Sequence, residues 1–316
     1  MKFLTGLLVS LLIVQQAWAG EIVYFDLPRG EHPHDVWPAG DGGVWYTGQR
    51  SGVLGHLDPK SGEVRRINLG KRAAPHGVIV GADGAAWITD GGLNAIVRVD
   101  PAAGGVKTWP LPKDRADANL NTAVFDKRGR IWFTGQSGVY GRLDPSSEVM
   151  EVWSAPRGFG PYGITATPTT GDIWFVSLAG SYLAHLDPDT GAAKIVEPPT
   201  RDQGARRVWS DSKGRLWISE WNVGKVAVYD PTNGTWRTWK LPGSNPTCYA
   251  VYVDEDDKVW LTDFAANAVL KFDPATETFQ SFPSDRAGAN VRQLAGRKGE
   301  VWGAESGTDR LVVVKH

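Results

Sequence analysis

The sequence predicts an all-β protein built from seven similar units in a row. Tryptophan recurs every 42 to 45 residues, at Trp45, Trp87, Trp132, Trp174, Trp217, Trp260 and Trp302. Each of these tryptophans lies in a similar short apolar phrase, such as GRIWFTG or GRLWISE. A fixed period of this length is typical of repeat architectures. We therefore interpret the chain as seven copies of one structural unit.

Each unit contains the pattern of four short strands. In the second unit, β-rich segments at residues 76–80, 86–89, 95–99 and 106–111 are separated by turn sequences such as Ala82-Asp83-Gly84. Glycine in that turn permits the positive φ that a tight turn requires. Four strands per repeat of about 43 residues are typical of a β-propeller blade. The expected fold is a seven-bladed propeller of four-stranded blades.

The third turn of six units carries an Asp-Pro pair, at Asp58, Asp100, Asp144, Asp187, Asp230 and Asp273. Aspartate binds its own turn backbone, and proline fixes φ at the next position. Because these aspartates recur once per unit, we interpret them as turn residues and not as a carboxylate site. The same reasoning makes His56 and His185, in GHLDP and AHLDP, exposed strand positions and not ligands.

The seventh unit is incomplete, and the start of the chain supplies what it lacks. After Trp302 the chain reaches residues 310–314 without an Asp-Pro turn or a fourth strand. Residues 21–28, EIVYFDLP, resemble the fourth-strand segments at 107–112 and 238–242. We expect this N-terminal strand to complete the last blade, which removes exposed strand edges.

The first 19 residues have the features of a secretory signal peptide. Lys2 precedes an apolar run at residues 3–14, and Ala17-Trp18-Ala19 provides a small-residue cleavage pattern. The run is short for a membrane span, and the alternative is an uncleaved anchor. We expect residues 20–316 to form a single propeller domain, periplasmic or secreted in a bacterium, with no membrane span after cleavage.

The composition limits the kinds of molecule that the protein is expected to bind and the chemistry it is expected to perform. The formal net charge is −1, and lysine and arginine are scattered, whereas a nucleic-acid-binding protein needs a basic stripe. Cys248 is the single cysteine, so no internal disulfide is possible, and we interpret it as a small buried hydrophobe. The sequence has no G-x-S-x-G elbow and no phosphate-binding loop. A closed propeller of this kind is expected to be a monomer.

Two sets of positions break the repeat at one end of the channel. The first strand of a propeller blade lines the channel, so the residues eleven before and three after each repeated tryptophan open on the same face. The first set comprises His34, His76, Asn121, Tyr162 (allowing for one extra residue in that turn), Arg206, Tyr249 and Val291, with Arg207 and Arg292 one residue further on. The second set comprises Gly48, Asp90, Gly135, Ser177, Glu220, Asp263 and Glu305.

These varied polar residues predict a binding site for a small molecule or peptide, because convergent polar groups are costly to bury without partners. The candidate substrate-binding residues are Asn121, Tyr162, Arg207, Tyr249 and Arg292. The alternative is that the polar groups satisfy one another around a wet channel.

Two histidines stand out within the first set. His34 and His76 lie at the same level of adjacent blades, and Asp90 belongs to the same blade as His76. A carboxylate beside an imidazole fixes its tautomer and raises its basicity. With or without a divalent metal, such a group suits proton abstraction next to a polarised carbonyl. The predicted catalytic residues are His76, His34 and Asp90.

The phrases Pro75-His76-Gly77-Val78, followed by Trp87-Ile88-Thr89-Asp90, and GPYGIT at 160–165, followed by GDIWF at 171–175, resemble the streptogramin B (virginiamycin B) lyase family. The resemblance extends over residues 21–316. Enzymes of this family are seven-bladed propellers that linearise a cyclic depsipeptide antibiotic by elimination at an ester, using magnesium. The resemblance implies a carbon–oxygen lyase.

The family's active histidines match Pro33-His34-Asp35 and Pro75-His76-Gly77. The resemblance implies that His76 is the general base, supported by Asp90, and that His34 lies at the metal side. Glu220 and Glu305 are the candidate carboxylate ligands of a Mg²⁺ ion there. The family's metal-binding glutamate, two residues before the second histidine, corresponds to Ala74, and the pair lies in the first two blades instead of the last two.

Two other functions are compatible with the sequence. One is a lactone hydrolase of the gluconolactonase type, with Ca²⁺ bound by oxygen ligands from Asp90, Asn121, Glu220, Asp263 and Glu305. The other is a non-catalytic envelope propeller that binds a peptide, a glycan or a protein. Propellers serve many functions, so the fold does not decide among these.

Overall fold

The structure, a computed structural model, describes residues 20–316 as seven four-stranded antiparallel sheets arranged in a ring. The innermost strand of each sheet contacts the innermost strands of both neighbouring sheets, and the first sheet contacts the last. This arrangement confirms the seven-bladed propeller. The expected signal peptide, residues 1–19, lies outside the described residues.

The first four blades run from the channel outward in sequence order. Their strands are β2 (Pro33–Pro38), β3 (Val44–Gly48), β4 (Val53–Leu57) and β5 (Val64–Asn68); β6 (Pro75–Val80), β7 (Ala86–Asp90), β8 (Ala95–Val99) and β9 (Val106–Pro110); β10 (Leu120–Phe125), β11 (Ile131–Gly135), β12 (Val139–Asp144) and β13 (Val149–Ser154); and β14 (Pro161–Ala166), β15 (Ile173–Ser177), β16 (Tyr182–Leu186) and β17 (Ala193–Val196).

The remaining blades have the same order, except that the last takes its outer strand from the start of the chain. Their strands are β18 (Ala205–Ser210), β19 (Leu216–Glu220), β20 (Lys225–Asp230) and β21 (Thr235–Lys240); β22 (Cys248–Val253), β23 (Val259–Asp263), β24 (Ala268–Asp273) and β25 (Thr278–Pro283); and β26 (Val291–Arg297), β27 (Glu300–Glu305), β28 (Arg310–Lys315) and β1 (Glu21–Asp26). Helical structure within residues 20–316 is limited to a 3₁₀ turn at Lys113–Arg115, and no helix there is long and apolar enough to span a membrane.

Strand β1 completes the last blade as expected. It pairs antiparallel with β28, in a register that runs from Glu21 opposite Lys315 to Asp26 opposite Arg310. The backbone N–H of Leu27 extends this pairing with a hydrogen bond to the carbonyl of Asp309. The two ends of the described chain therefore hold one sheet together, and the outer edge of the last blade has the same form as the others.

The repeated tryptophans form the interfaces between blades. Each is at most 5% exposed, and each belongs to a hydrophobic cluster shared with the next blade. Trp132, for example, lies in one cluster with Ile164 and Phe175 of the fourth blade. Trp302 closes the ring, because it shares a cluster with Val36 of the first blade. Burial of a large aromatic surface at every interface makes the blades mutually dependent.

His56 and His185 cover this tryptophan layer and are less exposed than the sequence suggested. The ring of His56 lies 4.4 Å from that of Trp45, and the ring of His185 lies 4.5 Å from that of Trp174. Their side chains are 13% and 34% exposed. These contacts, edge-on for His56 and tilted for His185, explain why both side chains are partly buried.

The Asp-Pro turns have the expected structure. In all six, the aspartate Oδ1 accepts the backbone N–H two residues later, at 2.9–3.0 Å. The side chain thus binds the turn that follows it, which leaves these aspartates as structural residues on the outer part of each blade.

The same substitution should lower the free energy of unfolding by different amounts at two of the repeated tryptophans. Trp260 Nε1 donates to Asp254 Oδ2 at 2.7 Å, whereas the buried Nε1 of Trp174 has no partner among the described residues. Both lose similar ring area on replacement by phenylalanine. We expect Trp260→Phe to lower the free energy of unfolding by about 1–2 kcal/mol more than Trp174→Phe. Urea unfolding of both variants measures the difference, and equal losses would contradict the assigned role of the indole hydrogen bond.

Candidate functional site

A bulge in every innermost strand sets the direction of the side chains at one end of the channel. In β2 the pairing with β3 passes from Pro33 opposite Gly48 to Val36 opposite Tyr46, so one extra residue is inserted. The other six innermost strands have a register shift at the same level. A bulge interrupts strand alternation and redirects side chains. Two consecutive residues, such as His34 and Asp35, therefore both enter the central polar cluster.

Hydroxyl groups of the second strands hold these bulges in place. Thr47 Oγ1 accepts the backbone N–H of Asp35 at 2.9 Å and donates to the carbonyl of His76 in the next blade at 2.8 Å. One side chain thus satisfies a bulge donor and also links two blades. The same bridge is made by Thr89, Thr134 and Ser219.

The residues that the bulges bring together form one connected cluster, which we call the channel ring. It consists of His34, Asp35, His76, Asn121, Thr122, Tyr162, Arg206, Arg207, Tyr249 and Arg292.

The two histidines of the channel ring lie in direct contact. The ring centroids of His34 and His76 are 3.7 Å apart, and the side chains are 2% and 4% exposed. Burial lowers the pKa of both imidazoles well below the usual value, and the charges of Arg207 and Arg292 lower both further. Both rings are therefore neutral at pH 7 and carry a lone pair.

The hydrogen bonds distinguish the two imidazoles. His34 Nδ1 lies 2.7 Å from Asp35 Oδ1, so Nδ1 carries the proton, and the lone pair is on Nε2, which lies 3.5 Å from the Tyr249 hydroxyl. His76 Nε2 lies 3.2 Å from Asn121 Nδ2, and the amide occupies that lone pair. The structure thus gives the carboxylate partner to His34 and an amide partner to His76.

Arg207 connects the two halves of the ring. Its terminal nitrogens donate to Asp35 Oδ1 at 3.0 Å and to Thr122 Oγ1 at 2.6 Å, and Thr122 in turn donates to Asn121 Oδ1 at 2.7 Å. Burial raises the pKa of the Asp35 carboxyl, and the Arg207 guanidinium opposes that shift. A continuous chain of hydrogen bonds therefore runs from His34 to Asn121 and on to His76.

Two tyrosines and two further arginines form the other side. The hydroxyls of Tyr162 and Tyr249 are 2.8 Å apart, and Arg206 donates to Tyr162 at 3.0 Å. Arg206 also lies over the Tyr249 ring at 3.9 Å, and Arg292 lies 3.4 Å from the Tyr249 hydroxyl. Burial alone would raise the pKa of Tyr249, but the guanidinium groups of Arg206, Arg207 and Arg292 outweigh it and lower that pKa to about 8. This side of the ring has strong positive potential.

Most of the sequence-predicted residues meet here. His34, His76, Asn121, Tyr162, Arg207, Tyr249 and Arg292 all belong to the ring. In the last blade, Val291 pairs with Glu305, as Pro33 pairs with Gly48 in the first blade. The residue that enters the channel ring is therefore the next one, Arg292. Sequence reasoning missed Asp35 and Thr122, which stand one residue beyond the compared positions, and the bulge brings them in. A hydroxyl two residues after the repeated tryptophan, as in WYTG and WISE, was an available signal for that bulge.

Three predicted carboxylates are placed elsewhere. Asp90 Oδ1 accepts the backbone N–H groups of Ala74 and Leu93, both at 2.9 Å, so it holds its own loop and makes no hydrogen bond to His76 among the described contacts. Glu305 accepts from Arg310 Nε at 2.7 Å. Glu220 is fully buried, and neither carboxylate oxygen has a partner within residues 20–316.

A magnesium or calcium site is poorly matched by these side chains. In the described part of the chain, the group with converging ligand atoms is His34, Asp35 and His76, with atoms within 4.8 Å of one another. Asp35 Oδ1 is already shared with His34 and Arg207, which leaves its Oδ2 and His76 Nδ1 without protein partners among the described residues. One free oxygen beside the arginines does not fit ions that take mostly oxygen ligands.

The model of the virginiamycin B lyase family matches residues 11–246. A search of curated proteins found no match. Two solved structures of virginiamycin B lyase from Staphylococcus aureus, one of them a catalytically inactive variant with quinupristin, are each 19% identical, with a TM-score of 0.86 over 94% of this chain and 99% of theirs.

Two further solved structures share the fold. A streptogramin B lyase is 23% identical, with a TM-score of 0.86 over 95% of this chain and 100% of that chain. The extracellular domain of a hybrid two-component system from B. thetaiotaomicron is 13% identical, with a TM-score of 0.75 over 93% of this chain and 42% of that chain. At these identities the likeness establishes the propeller fold.

The unpartnered Glu220 predicts that stability depends on pH. Burial raises the pKa of Glu220 to about 7, so the folded state binds its proton more tightly than the unfolded chain. Stability from this group is complete at low pH and is lost as the pH rises through about 7, by about 3 kcal/mol. We expect Glu220→Gln to raise the free energy of unfolding by that amount at pH 8 and to change little at pH 4.5.

Asp263 provides the matched control, because it occupies the same position in the next blade and its Oδ1 accepts the backbone N–H groups of Thr247 and Ala265 at 2.9 Å. Asp263→Asn should therefore lower stability at pH 8. Urea unfolding at both pH values checks the pair, and parallel pH profiles for wild type and Glu220→Gln would refute the assignment.

Proposed function

Because the chain belongs to the virginiamycin B lyase family, we propose that the channel ring is the active site of a carbon–oxygen lyase. The reaction opens an ester by elimination, in a cyclic depsipeptide or a related compound. The observation that carries the proposal is the buried pair of neutral imidazoles, one of them bound to a carboxylate, facing three guanidinium groups. A base beside concentrated positive charge suits proton abstraction next to a carbonyl.

His34 is the base in this proposal. Its Nδ1–H is bound by Asp35, which fixes the tautomer and leaves the lone pair on Nε2, where the nearest partner is the Tyr249 hydroxyl in a long contact of 3.5 Å. His76, whose lone pair is occupied by Asn121, packs against His34 and limits its rotation. The roles implied by the family resemblance, with His76 as base and Asp90 as its support, are therefore shifted to His34 and Asp35.

The arginines stabilise the negative charge that develops on the substrate. His34 removes the proton from the carbon next to the substrate carbonyl, and the electron pair of the broken C–H bond forms a C=C bond. The neighbouring C–O bond of the ester breaks, and its electron pair leaves on a carboxylate. Arg206 and Arg292, held by the two tyrosines, stabilise the negative charge on the carbonyl oxygen and on the departing carboxylate. No water is consumed, so the product is an isomer of the substrate.

Export from the cytoplasm belongs to the same proposal. The sequence features of residues 1–19 favour a cleaved signal peptide, and a structurally similar propeller is an extracellular domain of its own protein. A periplasmic or secreted bacterial enzyme would meet esters before they enter the cell.

Mass spectrometry of the product tests the reaction. With quinupristin as substrate, we expect a ring-opened product of unchanged mass that contains a new C=C bond, also in the presence of EDTA. His34→Gln should lower kcat by about 100-fold or more, the usual contribution of a general base. His56→Gln is the control, because His56 packs edge-on against Trp45 and is not part of the channel ring. A product heavier by one water, no conversion, or full activity of His34→Gln would overturn the proposal.

The ionisation of Tyr249 predicts the alkaline limit of activity. His34 stays neutral down to low pH because its pKa is lowered well below the usual value, so the rate is flat through neutral pH. The phenolate that forms as the pH rises through about 8 neutralises guanidinium charge and lowers kcat/KM. We expect Tyr249→Phe to abolish this decline. The measurement is kcat/KM against pH for both proteins, and an unchanged alkaline limb in Tyr249→Phe would contradict the role of Tyr249.

A further inference from the structure

The channel has a second mouth at the face opposite the channel ring. Next to the ring lies an apolar cavity of about 220 Å³, to which Arg207 also contributes. At the opposite face this cavity adjoins a wider one of about 390 Å³, which is lined by Trp37, Trp209 and Tyr252 and by exposed residues such as Glu255. We call the wider cavity the opposite mouth.

The three aromatic residues of the opposite mouth form adjoining walls. They occupy equivalent positions of three innermost strands, because each pairs with a repeated tryptophan. The rings of Trp37 and Trp209 are 6.1 Å apart and tilted by 35°, and those of Trp209 and Tyr252 are 5.0 Å apart at 71°. The rings therefore lie in different planes around the cavity, and both indoles are partly exposed.

No cation of the protein covers these walls. Five of the seven repeated tryptophans have a lysine or arginine over the ring, as Arg65 lies over Trp45 at 5.5 Å. Within residues 20–316, no lysine or arginine lies in this way over Trp37, Trp209 or Tyr252. Aromatic faces attract cations, so the opposite mouth offers such faces to a cation from outside.

Carboxylates outnumber cations at the opposite mouth. Its charged residues are Asp211, Asp254, Glu255, Asp257, Arg297 and Lys298. Arg297 is bound to Glu300 at 2.8 Å, and Asp211 is bound to Arg215 at 2.7 Å. The remaining three carboxylates are opposed by one ammonium group, that of the exposed Lys298. The opposite mouth therefore carries net negative charge.

Two tyrosines of strand β22 show that the ends of the channel differ in charge. At Tyr249, in the channel ring, burial alone would raise the pKa, but three guanidinium groups outweigh it and lower that pKa to about 8. At Tyr252, burial raises the pKa, and the negative charges of Glu255 and Asp254 raise it further. The potential is thus positive at the channel ring and negative at the opposite mouth, where a cationic ligand is favoured.

We propose that the opposite mouth binds a quaternary ammonium group, such as the trimethylammonium head of choline. The methyl groups contact the indoles of Trp37 and Trp209 with Tyr252 as the third wall, and Glu255 adds attraction from the rim. None of these four residues belongs to the channel ring, so the site does not depend on the proposed lyase activity.

The hydrogen bonds of the carboxylates explain why a primary ammonium is a poorer ligand. Both oxygens of Asp254 accept N–H groups of their own blade, and both oxygens of Asp257 accept from Ser212. A primary ammonium has three N–H donors that need acceptors when they leave water. A quaternary ammonium has no N–H donor, and aromatic faces and negative potential are sufficient to bind it.

Calorimetric titration of the full chain with choline tests the site. We expect saturable binding of choline. Ethanolamine should bind about tenfold more weakly or worse, and so should the neutral alcohol in which a tert-butyl group replaces trimethylammonium. Trp209→Leu should weaken choline binding about tenfold. Glu255→Gln should weaken it about two- to fivefold, and added salt should remove most of that difference, because this charge is exposed.

Two variants at the other end of the channel are the controls. Trp221 is a partly exposed tryptophan with Arg206 over its ring at 4.5 Å, so Trp221→Leu is the matched control for Trp209→Leu. It should bind choline as the wild type does. His34→Gln should also bind choline normally, which separates this site from the proposed reaction site.

Three results would overturn the proposal. They are the absence of saturable choline binding, equal affinity for choline and its tert-butyl analogue, and equal choline affinity of Trp209→Leu and Trp221→Leu. Thermal unfolding of each variant verifies that it is folded. If Trp209→Leu does not fold, the comparison of the three ligands on wild-type protein and the exposed Glu255→Gln variant still decide the outcome.

Discussion

The bulge in each innermost strand is the constraint on which the channel ring depends. In a regular strand, successive side chains face opposite sides, so His34 and Asp35, or Arg206 and Arg207, would not share one cluster. The extra residue places both on the channel side. The hydroxyl of Thr47 and its counterparts satisfies the bulge N–H and the carbonyl of a ring residue in the next blade. The site is thus built on the contacts that join the blades, and loops contribute little to it.

The repeat in the sequence predicts the fold almost completely, and the site in part. Tryptophan spacing identifies the blades, and the missing last strand identifies the closure by β1. The same spacing brings His34 and His76 to one level, where the structure has them in contact. Spacing alone does not reveal a bulge, so Asp35 was missed although it adjoins His34. The spacing also predicts Asp90 at the end of the channel beside His76, but its Oδ1 binds backbone N–H groups of its own loop instead.

The charge balance of the ring favours an anionic occupant. Three guanidinium groups face one carboxylate, that of Asp35, and both imidazoles are neutral. Buried charges require partners, and Arg206 and Arg292 have mainly tyrosine hydroxyls and aromatic faces. The lowered pKa of Tyr249 has the same cause, because its phenolate would add negative charge beside the guanidinium groups. In the proposed reaction, an enolate or a departing carboxylate would supply that negative charge.

Arg207 is the element common to both halves of the channel. Its terminal nitrogens hold Asp35 and Thr122, while its Nε has no protein partner among the described residues and its side chain also lines the apolar cavity. A guanidinium is planar and rigid, so a hydrogen bond at one nitrogen restricts the orientation of the whole group. The hydrogen bonds of Arg207 to Asp35 and Thr122 hold the guanidinium in place, and Asp35 in turn fixes the tautomer of His34. The two ends of the channel are chemically distinct, and one buried side chain belongs to both.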